Sequence, residues 1–434
     1  MRLPRPGELK SFIAEATRQM AERPLYSVGI RCFRLGVALA ALRSKKARLM
    51  MRGRKNVWKT LAKKCNPNDR NIWIHAASLG EFEQGRPLIE ELKRRNPEYK
   101  IILSFFSSSG YEVKKDWEGA DCVIYLPFDT PRNTAKLVNA INPEKAFFIK
   151  YELWRNLLHE LNRRSVPTYL VSASFPPGHK ILRKKYRWYA LWLRWFTHIF
   201  FQNKESQKLL NDIGINNVTV AGDTRFDRVA EVVKKANKIP ALHHFRNSSE
   251  LPVIIFGSSW REDEILYFPW LLENRGKMRA IIAPHEFDIN RLEEIRNQLK
   301  SLKVVLLSEM ESESMREMDV DVILIDCFGL LSSAYQYADV TYVGGGFGKG
   351  IHNILEPAAH GKPVVFGPNH FRFVEGRGLL NANGGFPVEN RNQLHQTLDR
   401  LISDKTFRMK AGQCSSDYIL KNVGATRRTL SSIT

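Results

Sequence analysis

A glycine-rich stretch from Thr341 to His370, TYVGGGFGKGIHNILEPAAHGKPVVFGPNH, constrains the fold more than any other part of the chain. Residues 341–343 and 364–366 predict two buried strands, and residues 353–360 predict a short helix ended by glycine and proline. A strand, a glycine loop and a helix N-terminus in succession are typical of α/β folds. Free backbone N–H groups and the positive end of the helix dipole suit this arrangement to an anion.

Two interpretations of the glycine loop are open. The glycines can serve a tight turn, or they can let a ligand approach the backbone, with Gly346 as a candidate contact. Glu356 favours the ligand, because a carboxylate one turn into the helix suits paired sugar hydroxyls. The spacings G-x-x-x-x-G-K-S/T and G-x-G-x-x-G are both absent, which excludes P-loop nucleotide triphosphatases and dinucleotide dehydrogenases.

Composition limits the class of protein and its partners. The chain has 434 residues, enough for two domains, and shows no secretory signal. Its five cysteines are scattered without a C-x-x-C pair, which favours a reducing compartment and argues against a zinc site. The net charge of +22 indicates an anionic partner, which can be a phosphorylated substrate, an acidic membrane surface or nucleic acid.

Strand-like and helix-like segments alternate along the whole chain, and the pattern restarts near residue 252. This predicts an α/β protein with two doubly wound, Rossmann-like domains that face each other across a cleft. Residues 232–251 are interpreted as the linker. The predicted divisions are a disordered or helical lead-in (1–25), a membrane-associated basic segment (26–60), an N-terminal acceptor-binding domain (61–240) and a C-terminal donor-binding domain with terminal helices (241–434).

Two stretches combine apolar and basic residues. Residues 26–42 are apolar but interrupted by Arg31 and Arg34, and a basic cluster follows, which suits a helix on an anionic bilayer surface. A helix packed against its own domain explains these residues equally well. Residues 179–201 carry tryptophans at helical spacing, which either fill the core or form a basic rim for lipid head groups.

Polar residues that follow predicted strands are candidate site residues, because ligands bind at the carboxyl edge of such sheets. Glu81 follows the strand at 71–76, where it can act as a general base or merely favour a helix N-terminus. Ser258 precedes another helix, where it can contact an anion or cap the helix.

Six motifs carry a resemblance to a known family: HAASLGEFEQGRPL, FFIKYELWRN, VAGDTRFDR, APHEFD, IDCFGLL and GGGFGKGIHNILEPAAHGKPVVFGPNH. They resemble the 3-deoxy-D-manno-octulosonic acid (Kdo) transferases of lipopolysaccharide inner-core synthesis, most closely the Bacteroidetes-type branch. The resemblance implies a GT-B fold and an inverting transfer of Kdo from CMP-Kdo to the 6-hydroxyl of the lipid A precursor, without metal or cofactor. It also implies monotopic or peripheral attachment to the cytoplasmic face of the inner membrane.

The resemblance assigns roles to individual residues. Glu81 is the implied general base, and Arg225 is the implied partner of the transition state. Glu152 is the acid that remains in the Ile-Lys-Tyr-Glu-Leu-Trp run, where Lys150 replaces a second acid of the family. The residues implied to bind the CMP portion are Pro284, His285, Phe328, Gly329, Leu330, Asn353, Ile354, Leu355 and Glu356.

Two other functions fit parts of the sequence. A nucleotide-sugar epimerase would share the fold but would need neither a lipid acceptor nor a basic aromatic rim. A nucleic-acid-binding protein would explain the charge, although the basic residues cluster near apolar stretches rather than in a known nucleic-acid module. The transferase therefore remains the preferred hypothesis, with no nucleic acid among its expected partners.

Overall fold

The computed structural model describes residues 24–175, 187–311 and 319–433, so the predicted lead-in lies almost entirely outside the described residues. Contacts divide the chain into two compact units. The first runs to Arg225 and includes Gly424–Thr434, and the second is Phe226–Val423. This division lies earlier in the chain than the predicted boundary at residue 240, because Phe226 and Val229 of helix Thr224–Lys234 pack in a core of the second unit.

The first unit contains a seven-stranded parallel sheet in the order β3-β2-β1-β4-β5-β6-β7. Its strands are β1 (Asn71–Ala76), β2 (Lys100–Phe105), β3 (Cys122–Tyr125), β4 (Lys145–Ile149), β5 (Thr168–Ala173), β6 (His198–Phe201) and β7 (Val218–Val220). Its helices include residues 24–40, Lys45–Lys64, Leu79–Arg95, Ser108–Lys114, Pro131–Ile141, Arg155–Arg163, Arg187–Ala190, Lys204–Asn211 and Ala425–Ser431. The strand order changes direction between β1 and β4, and such switch points open a crevice at the strand ends.

The second unit repeats this plan with a parallel sheet in the order β10-β11-β9-β8-β12-β13-β14. Its strands are β8 (Val253–Ser259), β9 (Arg279–Pro284), β10 (Val304–Leu306), β11 (Val322–Leu324), β12 (Val340–Val343), β13 (Val364–Phe366) and β14 (Gly385–Pro387). Its helices include Pro240–Asn247, Arg261–Glu273, Ile289–Gln298, Leu331–Ala334, Leu355–Ala359, Val374–Asn381, Arg391–Ser403 and Lys405–Asn422. The direction changes here between β8 and β12, which places the predicted glycine loop at the switch point.

Both faces of each sheet are covered, so the strands are near-continuous apolar runs. In β1, Trp73 packs with Phe148 in the core on one face, while Ile72 and Ile74 belong to the core on the other. The terminal helix Ala425–Ser431 contributes Leu430 to this second core, which explains why the last residues return to the first unit.

The predicted linker at 232–251 was wrong. Residues 240–247 form a helix whose Ala241, Leu242 and Phe245 are buried in the core of the second unit. The polar residues around these side chains obscured their apolar face in the sequence.

The aromatic stretch at 179–201 divides between described and undescribed residues. Residues 176–186, with most of the basic side chains, lie outside the described part. In the described part, Trp192, Leu193 and Phe196 are buried in the core of the first unit. This favours the core interpretation for these residues, which lie in and just after a described helical segment, Arg187–Ala190, and a 3-10 helix, Leu191–Trp195.

The helix at residues 24–40 packs one face on the first unit and exposes the other. Tyr26 meets Trp192 edge-to-face with ring centroids 5.2 Å apart, and its hydroxyl donates to Asp129 Oδ2 at 2.7 Å. Exposed apolar side chains follow one another at intervals of three, seven, four and three residues, the last of them just past the helix: Leu25, Val28, Leu35, Leu39 and Leu42. None of the helices in the described ranges is long and apolar enough to cross a membrane.

Candidate functional site

Glu81 lies in the first turn of helix Leu79–Arg95, directly after β1 at the switch point of the first sheet. Its Oε2 accepts a hydrogen bond from the backbone N–H of Ala77 at 2.5 Å. The carboxylate therefore folds back over the end of β1 and is held by the turn that precedes the helix. The structure agrees with the predicted loop or first-turn position, while the role of Glu81 stays a prediction.

The environment of Glu81 changes its acidity. Burial and the nearby charge of Glu152 raise the pKa of Glu81 to about 7, against the opposing effects of the Ala77 N–H and Lys150. A carboxylate normally titrates near 4.3. A pKa near neutrality lets the group accept a proton readily at physiological pH, which suits a general base.

Glu152 is anchored by a buried polar network. Trp154 Nε1 donates to Glu152 Oε2 at 2.8 Å, and His75 Nε2 lies 3.4 Å from the same oxygen. His75 is fully buried in β1 and its Nδ1 lies 2.9 Å from Ser104 Oγ, which also accepts from Trp73 Nε1 at 2.8 Å. Fixing Glu152 in this way fixes the negative charge that acts on Glu81.

Lys150, the position that departs from the family pattern, has a left-handed backbone with φ of 73° directly after β4. Its ammonium lies 5.2 Å from the ring centroid of Tyr151, and its positive charge lowers the pKa of Glu81. A non-glycine residue in this region is strained by about 1–3 kcal/mol, and such strain is concentrated at functional sites.

Arg225 lies in the first turn of helix Thr224–Lys234 and is held by Asp223. Its Nε and Nη2 donate to Asp223 Oδ2 at 2.9 and 2.7 Å. Thr224, the residue between Asp223 and Arg225, donates from Oγ1 to the carbonyl of Gln84 at 2.5 Å. Gln84 lies one turn after Glu81 in helix Leu79–Arg95. The structure thus places the Arg225 turn beside the helix that carries Glu81.

In the second unit, three aromatic side chains from three strand ends stack together. The rings of His285 and His352 are 4.1 Å apart at 23°, and those of Trp260 and His285 are 4.6 Å apart at 29°. Trp260 follows β8, His285 follows the buried Pro284 at the end of β9, and His352 lies in the loop after β12. The predicted donor residue His285 therefore lies inside a cluster that joins the glycine loop.

The segment 353–356 presents few side chains to a ligand. Asn353 Nδ2 donates to Glu356 Oε1 at 2.9 Å, and Asn353 Oδ1 accepts from the N–H of Leu355 at 3.1 Å. The side chains of Ile354 and Leu355 are buried in the core. These two residues can serve a ligand only through their backbone, whereas Asn353 and Glu356 offer polar side chains.

Gly346 is explained by close packing of two loops. A Cβ at Gly346 would lie 2.6 Å from the Cα and N of Gly367, so no larger residue fits without movement. At Gly344 a Cβ would lie 2.4 Å from the carbonyl oxygen of Ser258, which itself has φ of 53°. The tight-turn interpretation therefore accounts for both glycines, and a direct ligand contact by Gly346 or Ser258 stays a prediction.

The segment Phe328–Leu330 lies in the loop after β11, and its last residue, Leu330, lines a cavity of about 500 Å³. Phe328 is 77% exposed and stacks on Phe287 with ring centroids 4.5 Å apart, which forms an aromatic platform. Gly329 has φ of 87° and turns the chain, so that Leu330 lines the cavity with Ser308 and Asp326. The volume and polarity of this cavity suit a small heterocycle.

Among residues 24–175, 187–311 and 319–433, no group of three or more His, Cys, Asp or Glu side chains could hold a metal ion.

Comparisons with known proteins show which enzymes the chain resembles in sequence. The family model described as 3-Deoxy-D-manno-octulosonic-acid transferase (kdotransferase) matches residues 46–228. The chain is 28% identical over 377 residues to the 3-deoxy-D-manno-octulosonic acid transferase of Haemophilus influenzae, which covers 84% of this chain and 86% of that protein. It is 28% identical over 343 residues to the transferase of the same name from Aquifex aeolicus, covering 77% and 86%. These matches confirm the resemblance of the chain to Kdo transferases over most of its length.

Solved structures show the fold. The chain matches the UDP-GlcNAc 2-epimerase from Neisseria meningitidis with a TM-score of 0.60 at 14% identity, covering 84% of this chain and 99% of that one. It matches MurG from Acinetobacter baumannii with a TM-score of 0.55 at 9% identity, covering 84% and 99%. These neighbours have the GT-B architecture, which confirms the predicted fold class.

Trp260, His352 and Asp263 received no site role from the sequence analysis. Trp260 and His352 follow strands just as His285 does, so the strand-end rule could have selected them. Asp263 is buried in the first turn of helix Arg261–Glu273 and accepts from the backbone N–H groups of Trp260 and Gly345, both at 2.9 Å. Nothing local in the sequence indicated that this acid joins two loops.

Proposed function

We propose that this protein is a Kdo transferase, which moves Kdo from CMP-Kdo to the 6-hydroxyl of the lipid A precursor. The acceptor and its hydroxyl go beyond the resemblance, and the inverting, metal-independent mechanism is part of the proposal. The observation that carries it is Glu81, a carboxylate whose pKa of about 7 and position after β1 suit proton removal from an alcohol.

The proposed reaction is a direct displacement. The acceptor oxygen attacks the anomeric carbon of Kdo while its proton passes to the Glu81 carboxylate. The bond between that carbon and the phosphate oxygen breaks, and CMP leaves with the electron pair, so the configuration inverts. Glu152 raises the basicity of Glu81 by repulsion, and Arg225 offsets the negative charge that develops on the phosphate.

Donor binding is assigned to the second unit. We assign the ribose hydroxyls to the polar side chains of Asn353 and Glu356, and the phosphate to the glycine loop beside His285. We assign the cytosine ring to the cavity that Leu330 lines, with the exposed ring of Phe328 nearby in the same segment. Pro284, Ile354 and Leu355 act through backbone and packing because their side chains are buried.

The epimerase hypothesis is not favoured. The likeness to epimerases lies in the fold at about 14% identity, whereas the sequence relatives across most of the chain are Kdo transferases. Incubation with UDP-N-acetylglucosamine distinguishes the two, because an epimerase would form the 2-epimer without any lipid.

Membrane attachment through the helix at 24–40 completes the proposal. The exposed apolar stripe defined above (Leu25, Val28, Leu35, Leu39 and Leu42) lies beside exposed basic residues. The latter include Arg31, Arg34, Arg43, Lys45, Lys46 and Arg48. An apolar stripe flanked by cations binds at the boundary between acyl chains and anionic head groups.

Mass spectrometry of a reaction with CMP-Kdo and tetraacylated lipid A precursor tests the function and counts the sugars added. We expect product that is heavier by one or more Kdo residues. We expect Glu81→Gln to lower turnover by about 10²–10⁴-fold, the range found for loss of a general base. CMP affinity should be unchanged, since Glu81 lies in the first unit. Full activity of the Gln variant would remove Glu81 from the base role.

A further inference from the structure

The imidazole of His352 is held by a hydrogen bond from the indole of Trp260. Trp260 Nε1 lies 2.8 Å from His352 Nε2, and the two ring planes are nearly parallel at 12°. Indole nitrogen is a donor only, so His352 Nε2 must be the acceptor and carry no proton. The histidine is then neutral with its proton on Nδ1.

The surroundings keep His352 in this state. The ring of His285 stacks on the face of the His352 ring with centroids 4.1 Å apart, and a second imidazole in that position opposes a positive charge. Burial and this neighbour lower the pKa of His352 to about 4, so the ring stays neutral at physiological pH. No hydrogen-bond partner of Nδ1 occurs among the described residues, which leaves that N–H available to a ligand.

The loop backbone fixes the direction of the imidazole Nδ1–H group. The backbone N–H of His352 donates to the carbonyl of Gly344 at 3.1 Å. Gly345, with φ of 88°, passes so close to the ring that a Cβ there would lie 2.9 Å from His352 Cδ2. Asp263 ties the two sides together, since its Oδ2 accepts from the N–H groups of both Trp260 and Gly345. Trp260 and the His352 loop therefore form one rigid unit.

We propose that Trp260 is a positioning residue that locks His352 as the Nδ1–H tautomer, and that this N–H donates to an anionic oxygen of the donor nucleotide. The inference rests on the proposed function, because it takes the glycine loop to be the donor site. The anionic oxygen belongs either to the phosphate or to the carboxylate of the transferred sugar. A neutral, preorganised donor stabilises such charge without releasing a proton to it.

Trp260→Phe tests the lock, because it keeps an aromatic ring in the stack and removes only the N–H. Nitrogen-15 NMR of histidine-labelled protein should show Nδ1-protonated His352 in the wild type and a mixture of tautomers in the variant. If the contacted oxygen belongs to the phosphate, calorimetry should show CMP affinity lowered roughly tenfold, the effect of one charge-assisted hydrogen bond. Trp270→Phe is the matched control, since Trp270 Nε1 donates to Asp399 at 2.7 Å elsewhere in the same unit.

Further variants separate position from packing. His352→Asn keeps an N–H donor close to the position of Nδ1, and the amide has no second tautomer that Trp260 must exclude. The double variant Trp260→Phe with His352→Asn should therefore bind CMP near the wild-type level. His352→Ala should lose the affinity in either background. Cytidine affinity should be unchanged throughout if the oxygen is the phosphate. If it is the sugar carboxylate, CMP affinity should be unchanged and the KM for CMP-Kdo should rise.

The inference would be overturned if Trp260→Phe left the His352 tautomer unchanged. It would also be overturned if His352→Ala altered neither CMP affinity nor the KM for CMP-Kdo. Failure of the wild-type protein to bind CMP or to use CMP-Kdo would contradict the proposed function itself. The two failures are therefore distinguishable in the same set of measurements.

Discussion

At the residue scale, the acidity of Glu81 depends on groups that arrive from other strands. The carboxylate follows β1, whereas Lys150 and Glu152 follow β4, and the two strands are neighbours at the switch point. Glu152 raises and Lys150 lowers the pKa of Glu81, so a pair of opposite charges tunes the proposed base. Activity should rise with pH through about 7, because only the ionised carboxylate can take the acceptor proton.

Glu152→Gln should shift this pH profile. Removing the negative charge stabilises ionised Glu81 and lowers its pKa, so the acid limb of kcat/KM should move to lower pH. The check is kcat/KM measured from pH 5 to 9 beside the wild type. An acid limb that stays in place would show that Glu152 does not act on the base.

Gly346 and Gly348 give a matched pair in the glycine loop. Gly346→Ala should cost about 1–3 kcal/mol of unfolding free energy and weaken CMP binding, because the new methyl group meets the backbone of Gly367 at 2.6 Å. Gly348→Ala should be nearly silent, since its nearest neighbour would lie 3.6 Å away. Urea denaturation and calorimetry measure both effects, and equal losses in the two variants would contradict the packing argument.

At the element scale, the helix at residues 24–40 separates packing from binding by its two faces. Phe33 stacks on Phe106 with ring centroids 6.1 Å apart, which joins this helix to the end of β2. The opposite face leaves Leu35 and Leu39 about three-fifths exposed, at 62% and 61%. In the proposed attachment, this helix lies along the membrane surface with its axis in the plane of the membrane.

Leu35→Asp with Leu39→Asp should abolish most binding to vesicles that contain anionic lipid. The two carboxylates remove apolar area and repel the head groups, while the packed face is untouched. Leu420→Asp, at a 66% exposed site in the second unit, is the matched control and should bind as the wild type does. Vesicle flotation measures the effect, and unchanged binding of the double variant would exclude this face as the attachment surface.

At the scale of the whole molecule, the net charge of +22 belongs to a protein whose proposed donor, acceptor and surface are all anionic. Long-range attraction of this kind is screened over about 8–10 Å at physiological salt. We therefore expect the net charge to affect the rate of encounter with the proposed lipid acceptor more than the contacts inside either unit.

Raising the salt concentration from about 0.05 to 0.5 M should lower turnover on vesicle-bound acceptor several-fold. CMP affinity should change less, because one phosphate carries far less charge than a membrane. Rates on vesicles and calorimetry with CMP across the same series provide the comparison. An equal loss in both would place the salt effect in the donor site instead of at the surface.

The sequence alone determined the α/β class, the repeated strand-and-helix plan, the glycine loop and the position of Glu81 in a first helical turn. These features follow from local rules: apolar runs make buried strands, glycine permits tight turns, and acids favour helix N-termini. The family motifs add the residues implied for CMP. The same reliance on local rules made the linker prediction wrong, because a local excess of polar residues hid the apolar face of helix Pro240–Asn247.

Only the tertiary structure decided which distant groups meet. It placed Trp260 beside His352, 92 residues apart in the chain, and Trp154 beside His75, 79 residues apart. It also showed that position 346 must be glycine because the backbone of Gly367 lies too close for a side chain. The terminal helix Ala425–Ser431 completes a core of the first unit. Such contacts depend on strand order and on packing between layers, and neither leaves a periodic signal in the sequence.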